Sequence, residues 1–474
     1  MDSSYASRTK VDSSNVDPEK LDDKFPSSSA SSAVLANVTP LDPALDEKQK
    51  DPSPVDDWNP TWDDAHSWLI VLGCFIFSAV TAGWGPHPIH QVVLFLGGPA
   101  FVLKIDYYQD GLLADVNTPL LSFLGSVSGM FLTAFGGVFG KMADRFGYRP
   151  FLLLGSIVWI AGILGSAFST KLWHFFLTQG VLQGLSCAIV FPIVVAVPAQ
   201  WFLRRRALAI GIVVAGSSMG GAIGSLLIRI MLTRLGQRRT LAIYSCIDAA
   251  ALILAFLLVK ERRRPNTRRA PIVWFDKTFF SDPVFWSLGA CLLVTVFGYL
   301  APIFFLPTYT KEKVPGISDF KAALTITILN LAAAMGRTII GFVADRFGPV
   351  NSLLLVTLLS GLSQMCVWSF VTTYGGIMVF AILYGFNCGC FISLTPAVAA
   401  RVYGPNRLAG LSGLLFMFNM PGNAAGAPVA GALLKASGHS WRAVACTMGG
   451  LQVLGAIFLL YARFKREPKL IAVF

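Results

Sequence analysis

The chain has 474 residues, of which 54% are hydrophobic and only 14% charged, with a mean hydropathy of +0.62. Soluble domains carry about 25% charged residues, so this composition excludes an ordinary soluble globule and points to a polytopic membrane protein. The net charge of +12 calls for no nucleic-acid partner, because the basic residues gather in links between apolar runs, as membrane orientation requires.

Residues 1–66 are rich in Ser, Pro, Asp and Lys and have no apolar periodicity. They read as a disordered cytoplasmic N-terminal tail, with no cleavable signal peptide at Met1. The first expected span covers about 67–85. Gly85-Pro-His-Pro breaks the helix, and within 86–105 the run 89–103 is apolar but interrupted by Gly97-Gly98-Pro99. A crossing needs roughly 20 residues, so this stretch is expected to be interfacial, re-entrant or an odd gene-model segment, and is not counted. Further spans are expected near 119–139, 151–170, 173–200, 207–231 and 240–259, completing an N-terminal half at 67–259. A basic link at 260–283 follows. Six more spans, near 284–308, 321–343, 350–371, 375–400, 408–434 and 441–461, make a C-terminal half at 284–463. A short tail, 464–474, ends the chain. The expected fold is an all-α membrane protein with twelve transmembrane helices in two six-helix halves.

A duplicated turn supports the two halves. Gly140-Lys-Met-Ala-Asp144-Arg145-Phe-Gly147-Tyr-Arg149 occurs in the first, and Gly341-Phe-Val-Ala-Asp345-Arg346-Phe-Gly348 in the second. Each lies between apolar runs. Gly permits the backbone to reverse, while Asp and Arg hold the turn at the water boundary. With the N-terminus inside, Lys and Arg are about twice as numerous in inner loops as in outer ones. Both termini and both turns are therefore expected in the cytoplasm. A plasma membrane is the first expectation, with a vacuolar or other organelle membrane as the alternative.

No catalytic constellation is visible, so the chain does not read as an enzyme. The five His are scattered, and no Gly-x-Ser-x-Gly elbow, Walker loop or HExxH occurs. The eight Cys form no CxxC, and Cys388-Gly-Cys390 lacks metal-binding company. No cofactor and no metal are expected. The expected partners are the lipid bilayer and a small organic substrate, with proton coupling left open.

The first turn resembles the Gly-x-x-x-Asp-Arg-x-Gly-x-Arg motif between helices 2 and 3 of the major facilitator superfamily. Trp201-Phe-Leu-Arg204-Arg205-Arg206-Ala-Leu-Ala-Ile-Gly211, with Ala215-Gly216-Ser-Ser-Met-Gly220-Gly221, is similar to the start of helix 5 in fungal monocarboxylate-transporter-like permeases. The resemblance covers about 105–460 and implies the major facilitator fold, worked by rocking the two halves about a central site. Two departures stand out. Asp63-Asp64-Ala65-His66-Ser67-Trp68 keeps the acid and Trp of the family's helix-1 motif but not its glycines. No lysine lies between Trp68 and Gly85, where animal members place a substrate lysine.

Charges inside the membrane are costly and therefore informative. Arg337 stands eight residues before Asp345, about 12 Å along a helix and near the midplane. It matches the position of the family's carboxylate-binding arginine, and a guanidinium can grip a carboxylate with two bonds. The alternative is an Arg bonded to backbone carbonyls that fixes helix packing. The acid found one turn earlier in many relatives is Ala333 here. Asp248 is also deep and is the proton-coupling candidate, although the resemblance makes helix 6 peripheral, which favours a structural role. The resemblance implies a cytoplasmic gate in which Asp144 pairs with neighbouring Arg and a helix N-terminus of the other half. Arg145, Arg149, Asp345 and Arg346 belong to the same gate. Tyr299, Asn330, Asn387 and Asn419 are substrate-contact candidates, with Tyr384 and Asn423 beside them; the alternative for each is interhelical hydrogen bonding. The Gly stripe from Gly211 to Gly224 reads as helix packing.

The expected function is secondary transport of a small organic anion, monocarboxylate-like, moved with or without a proton. One alternative is efflux of a secondary metabolite or drug, against which stands the absence of Pro between Gly216 and Gly224. Another is a nutrient-sensing receptor that does not transport.

Overall fold

The structure is a computed structural model describing residues 64–84, 118–262, 277–404 and 408–466. The chain divides into two units, Met1–Asn59 and Pro60–Phe474, and every described helix belongs to the second. The 86–105 segment, nearly all of the N-terminal tail, most of the basic link and the last residues of the C-terminal tail lie outside the described residues.

All regular structure among the described residues is helical. The N-terminal half contains α1 (Ala65–Trp84), α2 (Thr118–Phe146) and α3 (Tyr148–Ala167). Helix α4 follows as Leu172–Phe175, a wider π-helical stretch at Phe176–Leu182, Gln183–Ala196 and Pro198–Trp201. Helices α5 (206–235) and α6 (237–258) form one run broken only at Gly236. The C-terminal half contains α7 (Pro283–Lys313), α8 (Asp319–Phe347) and α9 (Pro349–Ser363, continued by Gln364–Trp368). Then come α10 (Tyr374–Cys388 and Cys390–Tyr403), α11 (Leu408–Met417 and Met420–Ala436) and α12 (Trp441–Arg466). Among the described residues, ten stretches are long and apolar enough to cross a membrane. Helix α11 misses that measure because a break divides it.

The helix ends follow from local chemistry. The duplicated turn works through its glycines: Gly147 has φ 110° and Gly348 has φ 94°, conformations that side-chain-bearing residues rarely adopt. Asp282 caps α7 by accepting the Val284 N–H at 3.0 Å, with Pro283 in the first position, where a missing N–H costs nothing. Between α5 and α6 the expected loop is replaced by helix on both sides of Gly236, whose φ of 73° and ψ of 170° turn the chain at one residue.

The helices are apolar on most sides, as a bilayer demands, and large side chains such as Ile157, Ile253, Leu257 and Phe370 remain exposed to it. Packing therefore depends on close backbone approach. The glycine stripe of α5 serves this purpose: Gly216 lies against the Phe75 backbone of α1 and Gly220 against Ala79. The C-terminal half adds a buried polar knot. Gln364 Nε2 donates to Gly298 O at 3.1 Å and to Gln452 Oε1 at 3.0 Å, and Ser360 Oγ donates to the same Gln452 oxygen at 2.8 Å. Tyr384 Oη donates to Tyr299 O at 2.9 Å. This ties α7, α9, α10 and α12 together.

Candidate functional site

The two halves meet along two related seams at the end that carries the Asp turns. At the α2–α11 seam, Asp144 accepts from the Gly410 N–H at the start of α11, at 2.7 Å, and from Tyr148 Oη of its own half, at 2.7 Å. At the α5–α8 seam, Asp345 accepts from the Ala207 N–H at 2.8 Å and the Leu208 N–H at 2.9 Å. Each carboxylate thus meets the N-terminus of a helix in the other half, where free N–H groups and the helix dipole favour negative charge. Small residues permit the approach. Gly140 packs on the backbone of Ala409 and Gly410, and Gly211 on the backbone of Arg337. The neighbouring arginines lie over rings of their own half: Arg145 over Phe146, Arg149 over Phe256 and Arg346 over Phe342.

Deeper between the halves lies a cavity of about 160 Å³. Helices α1, α2, α4, α5, α7, α8, α10 and α11 all contribute to its wall. The wall is mostly apolar, with Phe191, Leu300, Phe304 and Phe416 prominent, and carries Arg337, Tyr299, Asn330, Asn419 and Asn423 as polar groups. Several expected substrate contacts therefore share one space. Others do not face it. Asn387 donates to Leu383 O in its own helix at 2.9 Å, and Tyr384 is engaged in the polar knot. Asp248 is buried where α3 meets α6 and accepts from Trp159 Nε1 at 3.0 Å; it is not on the cavity wall.

Arg337 is 4% exposed and already engaged. Its Nε donates to Gly389 O at 3.1 Å, and its Nη1 donates to Val214 O at 2.9 Å and to Ser217 Oγ at 2.6 Å. The residue thus has the backbone partners of the packing alternative and, at the same time, a place on the cavity wall. The Tyr299 hydroxyl, also on the cavity wall, lies within hydrogen-bonding reach of the same guanidinium. Gly389, at the break in α10, makes room for it: a Cβ there would meet Nη2 at 2.5 Å and Nε at 2.8 Å. Sequence reasoning missed Val214, Ser217 and Gly389. Val214 and Gly389 act through backbone carbonyls, which leave no residue signature, while Ser217, a side-chain partner, stood unremarked in the Gly216-Ser-Ser run of α5.

A family profile described as Major Facilitator Superfamily matches residues 94–352 and 313–473. The chain belongs to the Major Facilitator Superfamily. The superfamily's architecture of twelve helices in two halves is the one described above. Among curated relatives, the MFS transporter asaE of Aspergillus flavus is 28% identical over 429 residues, covering 89% of this chain and 92% of that protein. The fujikurins efflux protein of Gibberella fujikuroi is 27% identical over 469 residues, covering 99% and 98%. The aspyridones efflux protein apdF of Emericella nidulans is 30% identical over 406 residues, covering 84% and 79%. Among solved structures, the human organic anion transporter MFSD10 (TETRAN) superposes with a TM-score of 0.64 at 17% identity, covering 83% of this chain and 98% of that one. Its likeness concerns the superfamily fold.

Proposed function

We propose that this superfamily member exports an organic anion of secondary metabolism by alternating access about the central cavity. The observation that carries export is the set of similar proteins: two that match most of the chain are named efflux proteins, for fujikurins and for aspyridones. This favours efflux over the monocarboxylate-permease reading of the motifs. The missing Pro in α5 weighs less than similarity along the whole chain. The anionic part of the reading rests on Arg337, a cation at the cavity wall beside the Tyr299 hydroxyl. The two Asp seams are proposed as the cytoplasmic gate, with both termini inside and the plasma membrane as the site of export.

Inside-out vesicles holding only this protein test the proposal. Accumulation of an organic acid that stops on Arg337→Ala supports export of an anion. Accumulation that Arg337→Ala leaves at the parental rate removes the anionic part, and a protein that moves no member of a broad metabolite panel removes transport. Proton coupling is a separate question. Asp248→Asn, assayed with and without a pH gradient, decides whether that buried acid carries protons or only fastens α3 to α6.

A further inference from the structure

Outside the cavity, several amides find partners within the protein: Asn351 donates to Phe347 O and accepts from Arg463, Asn387 donates to Leu383 O, and Gln364 Nε2 donates to Gln452 Oε1, although Gln364 Oε1 is left unmatched in the polar knot. The amides of Asn330, Asn419 and Asn423 join none of the side-chain hydrogen bonds formed among the described residues. Asn419 decides the matter. It is only 5% exposed, and its Oδ1 is buried without a hydrogen-bond partner. A buried carbonyl oxygen left unmatched costs free energy that a fold normally avoids, so such a group on a cavity wall marks where a ligand or water completes the set.

The rest of the cavity says what kind of ligand fits. Arg337 offers donors to an anion, while Asn419 offers an acceptor and so calls for an O–H or N–H. Asn330 and Arg337 are two turns apart on α8, about 10 Å along its axis, so the polar wall is long. Between its polar groups lie Phe191, Leu300, Phe304 and Phe416. We infer that Asn419 is a specificity-determining residue that accepts a hydrogen bond from the substrate, which is an amphipathic organic acid carrying a hydroxyl or amide N–H separate from its acid group. The inference rests on the proposed anion-carrying cavity and adds the second recognition point.

The test is direct binding to the purified full-length protein in lipid nanodiscs, measured by calorimetry. The probes are the straight-chain monocarboxylates from butanoate to decanoate, their ω-hydroxy derivatives, and the matching α,ω-diols. At one or more chain lengths the hydroxy acid should bind roughly three- to tenfold more tightly than its parent, the value of one neutral hydrogen bond. Asn419→Leu should bring that ratio to about one. Asn419→Ala, which adds no bulk, gives the same reading if the leucine variant does not insert. Equal affinity within every pair, with acid binding still lost in Arg337→Ala, means that water alone completes Asn419; it overturns this inference and leaves the anion reading intact. Diols that bind as tightly as hydroxy acids and lose affinity in Asn419→Leu overturn the anion reading and leave Asn419 its role. A panel in which nothing binds overturns both.

Discussion

The α2–α11 and α5–α8 seams descend from the same motif, yet they hold by different means. In the first, Asp144 divides its oxygens between the other half, at Gly410, and its own half, at Tyr148. In the second, Asp345 gives both oxygens to the other half, at Ala207 and Leu208. Arg337 then repeats the crossing farther into the membrane, at Val214 and Ser217. The lesson is that a repeated sequence motif need not give equal mechanical strength. The α5–α8 seam is fastened at two depths, and one of the two fastenings belongs to the cavity.

The largest test removes the deeper fastening. Arg337→Ala should lower transport of an organic anion by about tenfold to a hundredfold, since a hydrogen bond to a charged group contributes roughly 1.5–3 kcal/mol. It should also loosen the α5–α8 seam, seen as faster cysteine labelling at Leu208→Cys. Full transport in a well-inserted Arg337→Ala protein would break the link between seam and cavity.

The next test compares the two carboxylates. Asp345→Asn replaces a charged acceptor of two N–H bonds across the seam and should shift the population towards opening by about 2–4 kcal/mol. Asp144→Asn weakens one such bond and should shift it by about 1–3 kcal/mol. Labelling of cysteines placed along each seam measures both. Equal labelling in the two variants would mean that the seams are mechanically alike.

A smaller effect is expected at Gly389→Ala. The added methyl displaces the guanidinium without removing its charge, so affinity for an anion should fall by a few-fold while the Asp345 contacts persist. An unchanged affinity would show that Arg337 binds its ligand from another rotamer.

The smallest effect serves as a control within one half. Asp282 accepts from Tyr403 at 2.9 Å and pairs with Arg466 at 2.5 Å, tying α7, α10 and α12 without crossing either seam. Burial works against its charge, but the Val284 N–H, Tyr403 and Arg466 outweigh it and hold the carboxyl below its ordinary range. A depressed folded pKa contributes stability above the unfolded value, about 3.9, and loses it as pH falls through the lower folded value. Asp282→Asn should therefore flatten the acid limb of a thermal-stability profile and leave seam labelling as it was.

Much of this was legible in the sequence because bilayer physics is severe. Charge-poor runs of membrane length located the helices, and the Gly at each Asp turn foretold the positive φ of Gly147 and Gly348. The α5–α6 join was not legible. Its polar residues, including Arg234, Arg238 and Arg239, look like a loop, yet only Gly236 leaves the helix. The cavity was half legible. Asn387 and Asn419 are alike as residues, and a helix that is apolar all round gives no signal of which way it is turned. Arg337 declared itself as a buried charge, but its backbone partners are written in no side chain.

Arg337 also sets a condition on any ligand that it receives. A guanidinium bonded to Val214 O and Ser217 Oγ is not waiting idle. An acid that draws Nη1 away must displace those two acceptors, and its affinity is reduced by what they held. The same displacement undoes the deeper fastening of the α5–α8 seam. Weak binding to the fastened form and easier release of the seam are then one quantity seen from two sides, as linkage requires. In such an arrangement the cargo is also the latch key, and an empty carrier stays shut.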